Sequence, residues 1–173
     1  KLRNAPIKTL FGYDPDQNRV MKAMVDTITN DTMFTYYIRS AAKNQLAVYS
    51  RKGDTVRWSE QYIFGDARLG SLNPNVEWNG TTPFASAPYF SNNKFLNEGW
   101  KYYEFSNHLG NVLATINDRK IKVDNDGDQQ ADYYEPTSIS ALDYYPFGLE
   151  MPGRSYQSGN YRMGFNGMEM DRN

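Results

Sequence analysis

Tyr102-Tyr103-Glu104-Phe105-Ser106-Asn107-His108-Leu109-Gly110-Asn111-Val112-Leu113-Ala114-Thr115 writes a strand, a tight corner and a second strand in adjacent residues. Aromatic and β-branched residues fit a pleated, half-buried surface, and they stand on both sides of the corner. Gly110 offers the positive φ that the first central residue of a type II′ hairpin turn requires, at no steric cost. The segment therefore predicts an antiparallel hairpin with Leu109-Gly110-Asn111 at its tip.

Working outward, the same module recurs. Tyr13-Asp14-Pro15-Asp16-Gln17-Asn18-Arg19-Val20-Met21 and Tyr36-Tyr37-Ile38-Arg39-Ser40-Ala41-Ala42-Lys43-Asn44-Gln45-Leu46-Ala47-Val48-Tyr49 align with it on Asn18, Asn44 and Asn111. Each has an aromatic approach, a polar corner ending in Asn and an apolar exit, which is the mark of an internal repeat. Gln17 and Lys43 stand where the third copy has glycine, so those corners are expected to use other turn geometries. A longer echo follows: Tyr62-Ile63-Phe64-Gly65 begins 18 residues after Asn44, and Tyr145-Pro146-Phe147-Gly148 begins 34 residues after Asn111. Duplication with an insertion accounts for both spacings, and the acidic segment Asp124 to Glu135 lies in the longer interval.

Composition narrows the field. The 173 residues suit one domain or a piece of a larger all-β body. A formal charge of −1 and a pI near 5.9 argue against a nucleic-acid partner, whose footprint would be basic. The absence of cysteine excludes disulfides, thiolate metal sites and a cysteine nucleophile. No apolar run approaches the ~18 residues of a membrane span. The first residues, Lys1 to Pro6, lack the apolar core of a signal peptide and an initiator methionine, so an internal fragment or processed chain is expected. Fourteen tyrosines suit strands with one apolar and one wet face. In the pairs at 36-37, 102-103, 133-134 and 144-145, strand alternation would send one ring inward and one outward.

Two segments admit competing readings. Val20, Met21, Met24, Val25 and Ile28 fit a helical stripe, while the Val, Ile and Thr content and the repeat alignment favour a strand leaving a hairpin. Gly70 to Gly99, with Pro74, Pro83 and Pro88, reads as a long loop packed onto the body by Trp78, Phe84, Tyr89 and Phe90, against the alternative of a break between separate domains.

One segment carries ligand chemistry. Counting Asp124 as position 1, Asp124, Asp126, Asp128, Asp132 and Glu135 fall at 1, 3, 5, 9 and 12, the spacing of a calcium loop. The Gln130 carbonyl would serve at position 7, but Gln129 stands where the loop's glycine is expected. The competing reading is a solvated hairpin tip rich in turn-forming Asp, Asn and Gly. Its flanks look like strands, so no helix pair is implied. Arg119-Lys120-Ile121-Lys122 reads as a solvent-facing strand with Ile121 and Val123 inward. His108, the only histidine, lacks an identifiable nucleophile or orienting partner and reads as part of a corner, bonding backbone or packing on a tyrosine. Tyr145-Pro146-Phe147-Gly148 and Met151-Pro152-Gly153-Arg154 read as strand ends and turns, with Pro146 at an edge or bulge, and a final strand is expected around Arg162 to Phe165.

The unit from Tyr13-Asp14 to Val20 resembles a YD repeat. Asn107-His108-Leu109-Gly110-Asn111-Val112, Asp143-Tyr144-Tyr145-Pro146-Phe147-Gly148 and Tyr161-Arg162-Met163-Gly164-Phe165-Asn166-Gly167, in that order, resemble the Rhs repeat-associated core domain, in the form found in Bacteroidetes Rhs proteins. The resemblance runs from about Gly12 to Asp171. It implies an all-β fold of antiparallel hairpin repeats forming part of an Rhs-type β-shell. The expected organisation is hairpin repeats over 1–69, a packed loop over 70–100 and a core segment over 101–173. It further implies a bacterial secreted or cell-surface protein that encloses or presents a C-terminal toxin or effector. Its partners would be the rest of the same polypeptide, that cargo, or a component of the secretion machinery.

Related cores end in a self-cleavage motif of Asp-Pro-x-Gly-Leu type, which does not occur in these 173 residues, so no catalytic residue is assigned and the chain is read as non-enzymatic. An autoprotease would need aspartates beyond residue 173. Where such cores often carry Asp before the histidine, this chain has Asn107, and no charge-dependent role is carried over. The residues singled out are turn and core formers: Asn107, His108, Gly110, Asn111, Tyr145, Pro146, Phe147 and Gly148. The alternative is a surface adhesion or binding module for glycan or protein, stabilised by calcium at Asp124, Asp126, Asp128, Asp132 and Glu135.

Overall fold

A computed structural model describes residues 7–80, 98–158 and 161–169. Among them the regular structure is antiparallel β-sheet, with one short 3-10 turn at Phe165–Gly167 and no α-helix. The all-β expectation holds. The chain divides into two compact units, Lys1–Ile63 with Leu72–Lys94, and Phe64–Ser71 with Phe95–Asn173.

In the first unit, β1 (Ile7–Tyr13), β2 (Arg19–Asp26), β3 (Thr32–Arg39), β4 (Gln45–Lys52) and β5 (Thr55–Phe64) pair in sequence order, each antiparallel to the next. The strand reading of Arg19 to Thr29 holds as far as Asp26, with Met21 to Val25 paired in ladders on both sides and not wound on a stripe, while Ile28 lies in the turn that follows. Met21, Tyr36, Tyr49 and Trp58 are register partners on consecutive strands, and the Tyr49 and Trp58 rings stack at 6.3 Å. Such cross-strand pairs are the unit of sheet stabilisation. Ala23, Tyr37, Ala47, Val48 and Tyr62 are buried.

The stretch expected as loop contains structure. Arg68–Leu72 forms β6, and Val76–Trp78 forms β7, which pairs with β5 through Val56 to Trp58. Val76 and Leu72 are buried, so local apolar content overrode the proline and asparagine signals. Phe84, Tyr89 and Phe90 lie outside the described residues.

In the second unit β6 lies beside β8 (Lys101–Ser106), followed in order by β9 (Val112–Val123), β10 (Tyr133–Tyr144) and β11 (Glu150–Gln157). Pro136 sits inside β10, where it cannot donate to the ladder. The register with β9 breaks beside it, between Pro136 and Thr137, as a bulge must where a ladder donor is missing. Asp118 falls in that bulge on β9. Burial alone would raise its carboxyl pKa, but the Lys101 ammonium at 2.8 Å and the N–H groups of Gly99 and Lys101 outweigh this and hold it below the ordinary value. Ile121 is exposed, against the expected inward orientation. Tyr133 and Tyr134 are both exposed, because that pair stands at the far end of β10, beyond its pairing with β11. The expected strand at Arg162 to Phe165 is instead a single bridge between Met163 and Glu169, closed by the 3-10 turn.

The corners share one geometry. In Asp14–Asn18, Ser40–Asn44 and Asn107–Asn111 the first residue's N–H donates to the fifth carbonyl, and the fourth N–H donates to the first carbonyl, all at 2.8–3.0 Å. Residue four has positive φ in each: 65° at Gln17, 67° at Lys43 and 81° at Gly110. This is a type I turn followed by a left-handed bulge residue. It corrects two expectations. His108 and Leu109 are the central turn residues, and Gly110 is the bulge that follows, because the Asn107 Oδ1 accepts from the Leu109 N–H at 2.9 Å and starts the turn earlier. Gln17 and Lys43 do not change the geometry; they adopt it.

A stability series separates these positions. Nothing lies within 4 Å of a Cβ added at Gly110, so Gly110→Val pays conformational strain only, about 1–3 kcal/mol. Gln17→Gly removes a left-handed side chain and should stabilise by roughly 0.5–1 kcal/mol. Urea midpoints of the two variants should move in opposite directions at unchanged slope.

Candidate functional site

Among the described residues, two places gather the side chains singled out in the sequence. The first is a cluster of corners in the second unit. Asn107–Asn111 and Tyr145–Leu149 have the same pair of backbone hydrogen bonds, and Gly164–Met168 repeats them a third time. Gly148, with φ 87°, and Gly167, with φ 62°, take the place of Gly110. Pro146 is the first central residue of its turn, where its fixed φ is suited, as the strand-end and turn reading of Tyr145 to Gly148 implied, and not in an edge strand or bulge.

The third corner holds the other two. The Asn111 Oδ1 accepts the Asn166 N–H at 2.8 Å, and the Gly164 carbonyl accepts the Val112 N–H at 3.1 Å. Asn111 is buried there, and Val112 fully so. The Phe165 ring meets Tyr144 edge-on at 5.7 Å and lies over Gly148, where an added Cβ would stand 2.7 Å from it. Gly148 is thus required twice, by φ and by space. The Glu104 carboxylate, almost wholly buried, accepts two bonds from the Arg68 Nε at 2.8 and 3.0 Å and one from the Tyr161 hydroxyl. It fastens β6, β8 and the C-terminal segment together. Losing one partner of such a buried pair leaves an uncompensated charge.

What the cluster presents to solvent is apolar. Phe147 is 97% exposed, and Leu109, Leu149 and Met168 are also exposed. His108 is exposed at the turn and forms no hydrogen bond or ion pair among the described residues, against the expected backbone or tyrosine contact.

The second place is the acidic loop joining β9 to β10, flanked by strands as the sequence implied. Asp124, Asp126 and Asp128 bring carboxylate oxygens within 4.8 Å of one another. The loop arranges itself through its own carboxylates. The two Asp124 oxygens accept from Gly127 and Gln129 at 2.7 and 2.9 Å, Asp126 accepts from Asp128 at 3.2 Å, and Asp128 accepts from Gln130 at 2.7 Å. Gln129 has φ 69°, the left-handed conformation for which glycine is expected at that position. Three hard oxygen donors at alternate residues suit a divalent cation.

Two expected ligands lie outside this group. Asp132 accepts the Asn125 N–H at 2.7 Å, closing the loop, and Glu135 stands on β10 opposite Ile121. The Lys122 ammonium donates to the Gln129 carbonyl and lies 4.0 Å from Asp124, so a cation of the chain's own already sits beside the carboxylates.

Sequence reasoning passed over Asp14, Ser40, Arg68 and Tyr161. The first two were legible: an Asx or Ser residue stands four positions before each aligned asparagine. Nothing in the spacing of Arg68, Glu104 and Tyr161 announces their contact. No helix among the described residues is long and apolar enough to cross a membrane. Compared with protein-family models, curated proteins and solved structures, the chain has no significant match.

Proposed function

We propose that this chain is a structural wall segment: a run of hairpins, several of them closed by the same pair of backbone hydrogen bonds, that forms part of a larger β-shell of Rhs type around a C-terminal toxin or effector. The observation that carries the reading is the corner itself. The same two backbone hydrogen bonds close Asp14–Asn18, Ser40–Asn44, Asn107–Asn111, Tyr145–Leu149 and Gly164–Met168. A repeated joint between sequential antiparallel strands makes an extensible sheet, and each unit buries its apolar face only against its neighbours. The motifs that resemble the Rhs core, at Asn107–Val112, Asp143–Gly148 and Tyr161–Gly167, include the three corners that pack together. The mechanism would be containment, with the cargo kept from solvent and from the producing cell by a hydrogen-bonded sheet. In the natural polypeptide, a segment following Asn173 should then resist proteinase K at concentrations that degrade the same segment expressed alone. Equal digestion rates would remove the reading.

A second role belongs to the acidic loop, on the strength of the Asp124, Asp126 and Asp128 group. It would hold calcium as a staple at the tip of the β9–β10 hairpin, through Asp124, Asp126 and Asp128 with the Gln130 carbonyl as a further donor. Bound calcium would supply neutralisation of the clustered carboxylates. The chain's own residues would do the rest: the Gly127, Gln129 and Gln130 N–H groups hold the carboxylates in place, and Lys122 must yield its neighbouring position. Titration calorimetry should give calcium heat with the parent chain and none with Asp126→Ala/Asp128→Ala. A silent parent chain excludes the staple.

A further inference from the structure

Between the β2–β3 and β4–β5 turns of the first unit lies an open groove of about 410 Å³, lined by Asn30, Asp31, Phe34, Arg51, Lys52 and Gly53. Phe34 and Arg51 are register partners on β3 and β4, so their side chains stand together on one sheet face. The chain shapes this groove by itself. The Asp26 Oδ1 accepts from the Ile28 and Thr29 N–H groups at 2.8 and 3.2 Å, and the Asn30 N–H closes the turn on the Asp26 carbonyl at 2.8 Å. The Lys52 ammonium pairs with Asp31 at 3.3 Å and spans the two turns. The Arg51 Nε donates to the Gly53 carbonyl at 2.8 Å, while its terminal nitrogens bond no described residue. Side chains already held in place lose little ordering entropy on binding.

We propose that this groove binds a sugar ring carrying a carboxylate, a uronate. The free fork of the Arg51 guanidinium matches a carboxylate with two parallel hydrogen bonds. Phe34, half-buried and stacked on Tyr36 with ring centroids 6.1 Å apart, offers an apolar surface to the C–H face of the ring. The Asn30 amide donates and accepts, and the Asp31 carboxylate accepts, which is what neighbouring ring hydroxyls need. The charge balance selects the class. Of the groove's two cations Lys52 is paired with Asp31, so one positive charge is left to be met, and one carboxylate meets it. A doubly charged phosphate would leave a negative charge unmet beside Asp31. A planar aromatic acid would leave Asn30 and Asp31 without hydroxyl partners. The site lies wholly within the first unit and stands whether or not the chain encloses a cargo.

Backbone amide NMR of the isotope-labelled chain, titrated with D-glucuronate and with D-galacturonate, tests the site. The amides of Asn30, Phe34 and Arg51 to Gly53 should shift and saturate with at least one of the two, at about millimolar concentration. The methyl esters keep the ring and lose the charge, and should bind at least about tenfold more weakly, the loss expected for a charge-assisted hydrogen bond. Arg51→Gln, at an exposed position, should leave the rest of the spectrum unchanged and weaken the uronate by a similar factor. No saturable shift at these amides with either uronate would overturn the proposal. Esters that bind as well as the acids would equally overturn it, and this arm needs no variant. Inorganic phosphate binding as tightly at the same amides would make the groove a plain anion site and also overturn it.

Discussion

Three hairpins of this protein, β1–β2, β3–β4 and β8–β9, turn on one backbone N–H. A bulge placed after a type I turn puts an extra residue into one strand, and the next residue's N–H loses its place in the ladder. Left unbonded where water is excluded, as at the buried Asn111, it would cost on the order of 1–3 kcal/mol. The chain meets it from four residues upstream: Asp14 accepts from Asn18 at 2.8 Å, Ser40 from Asn44 at 3.2 Å, and Asn107 from Asn111 at 3.0 Å. The Asn18 side chain and backbone N–H together hold the Asp14 carboxyl below its ordinary pKa. With that bond made, the residue between must take positive φ, and glutamine and lysine take it as glycine does. Where glutamine or lysine fills the strained position the upstream acceptor holds the corner and that residue adapts; at Tyr145–Leu149 and Gly164–Met168, whose first residue supplies no side-chain acceptor, glycine fills it.

The corner also explains how a small unit with few buried hydrophobic side chains holds its end together. In the second unit the residue that receives the upstream bond, Asn111, uses its own side chain to receive a further corner, through the Asn166 N–H. Phe165 covers Gly148, and Glu104 gathers Arg68 and Tyr161 nearby. Buried polar groups such as these specify one arrangement because each is costly when unmet. At the β9–β10 tip the same chemistry is used without burial: carboxylates accept from the loop's own N–H groups, so the loop is shaped before any cation arrives.

The strand order, the hairpins and the position of the acidic tip were legible in the sequence because they rest on local signals, alternation and Asn-rich corners. The turn type at Gly110 was not, since glycine suits a type II′ centre and a bulge equally. The deciding residue was Asn107, three positions earlier, through a side-chain bond that propensity does not record. The short strands β6 and β7 were hidden by Pro74 and the surrounding asparagines, whose turn signals were overridden where Leu72 and Val76 found burial. In the acidic loop, alternation at Asp124, Asp126 and Asp128 predicted a group that does form. The places of Asp132 and Glu135 depended on where β10 begins, which spacing alone leaves open. The Glu104 contacts with Arg68 and Tyr161 join residues far apart in the chain, and no periodicity carries that information.

The most direct measurement of the central claim is backbone φ in solution, by NMR, at Gln17, Lys43 and Gly110. If the upstream acceptor sets the corner, all three are positive, near the 65°, 67° and 81° of the structure. Negative φ at Gln17 or Lys43 beside a positive Gly110 would contradict it, because the glycine would then be making its own corner and the three would not be one joint.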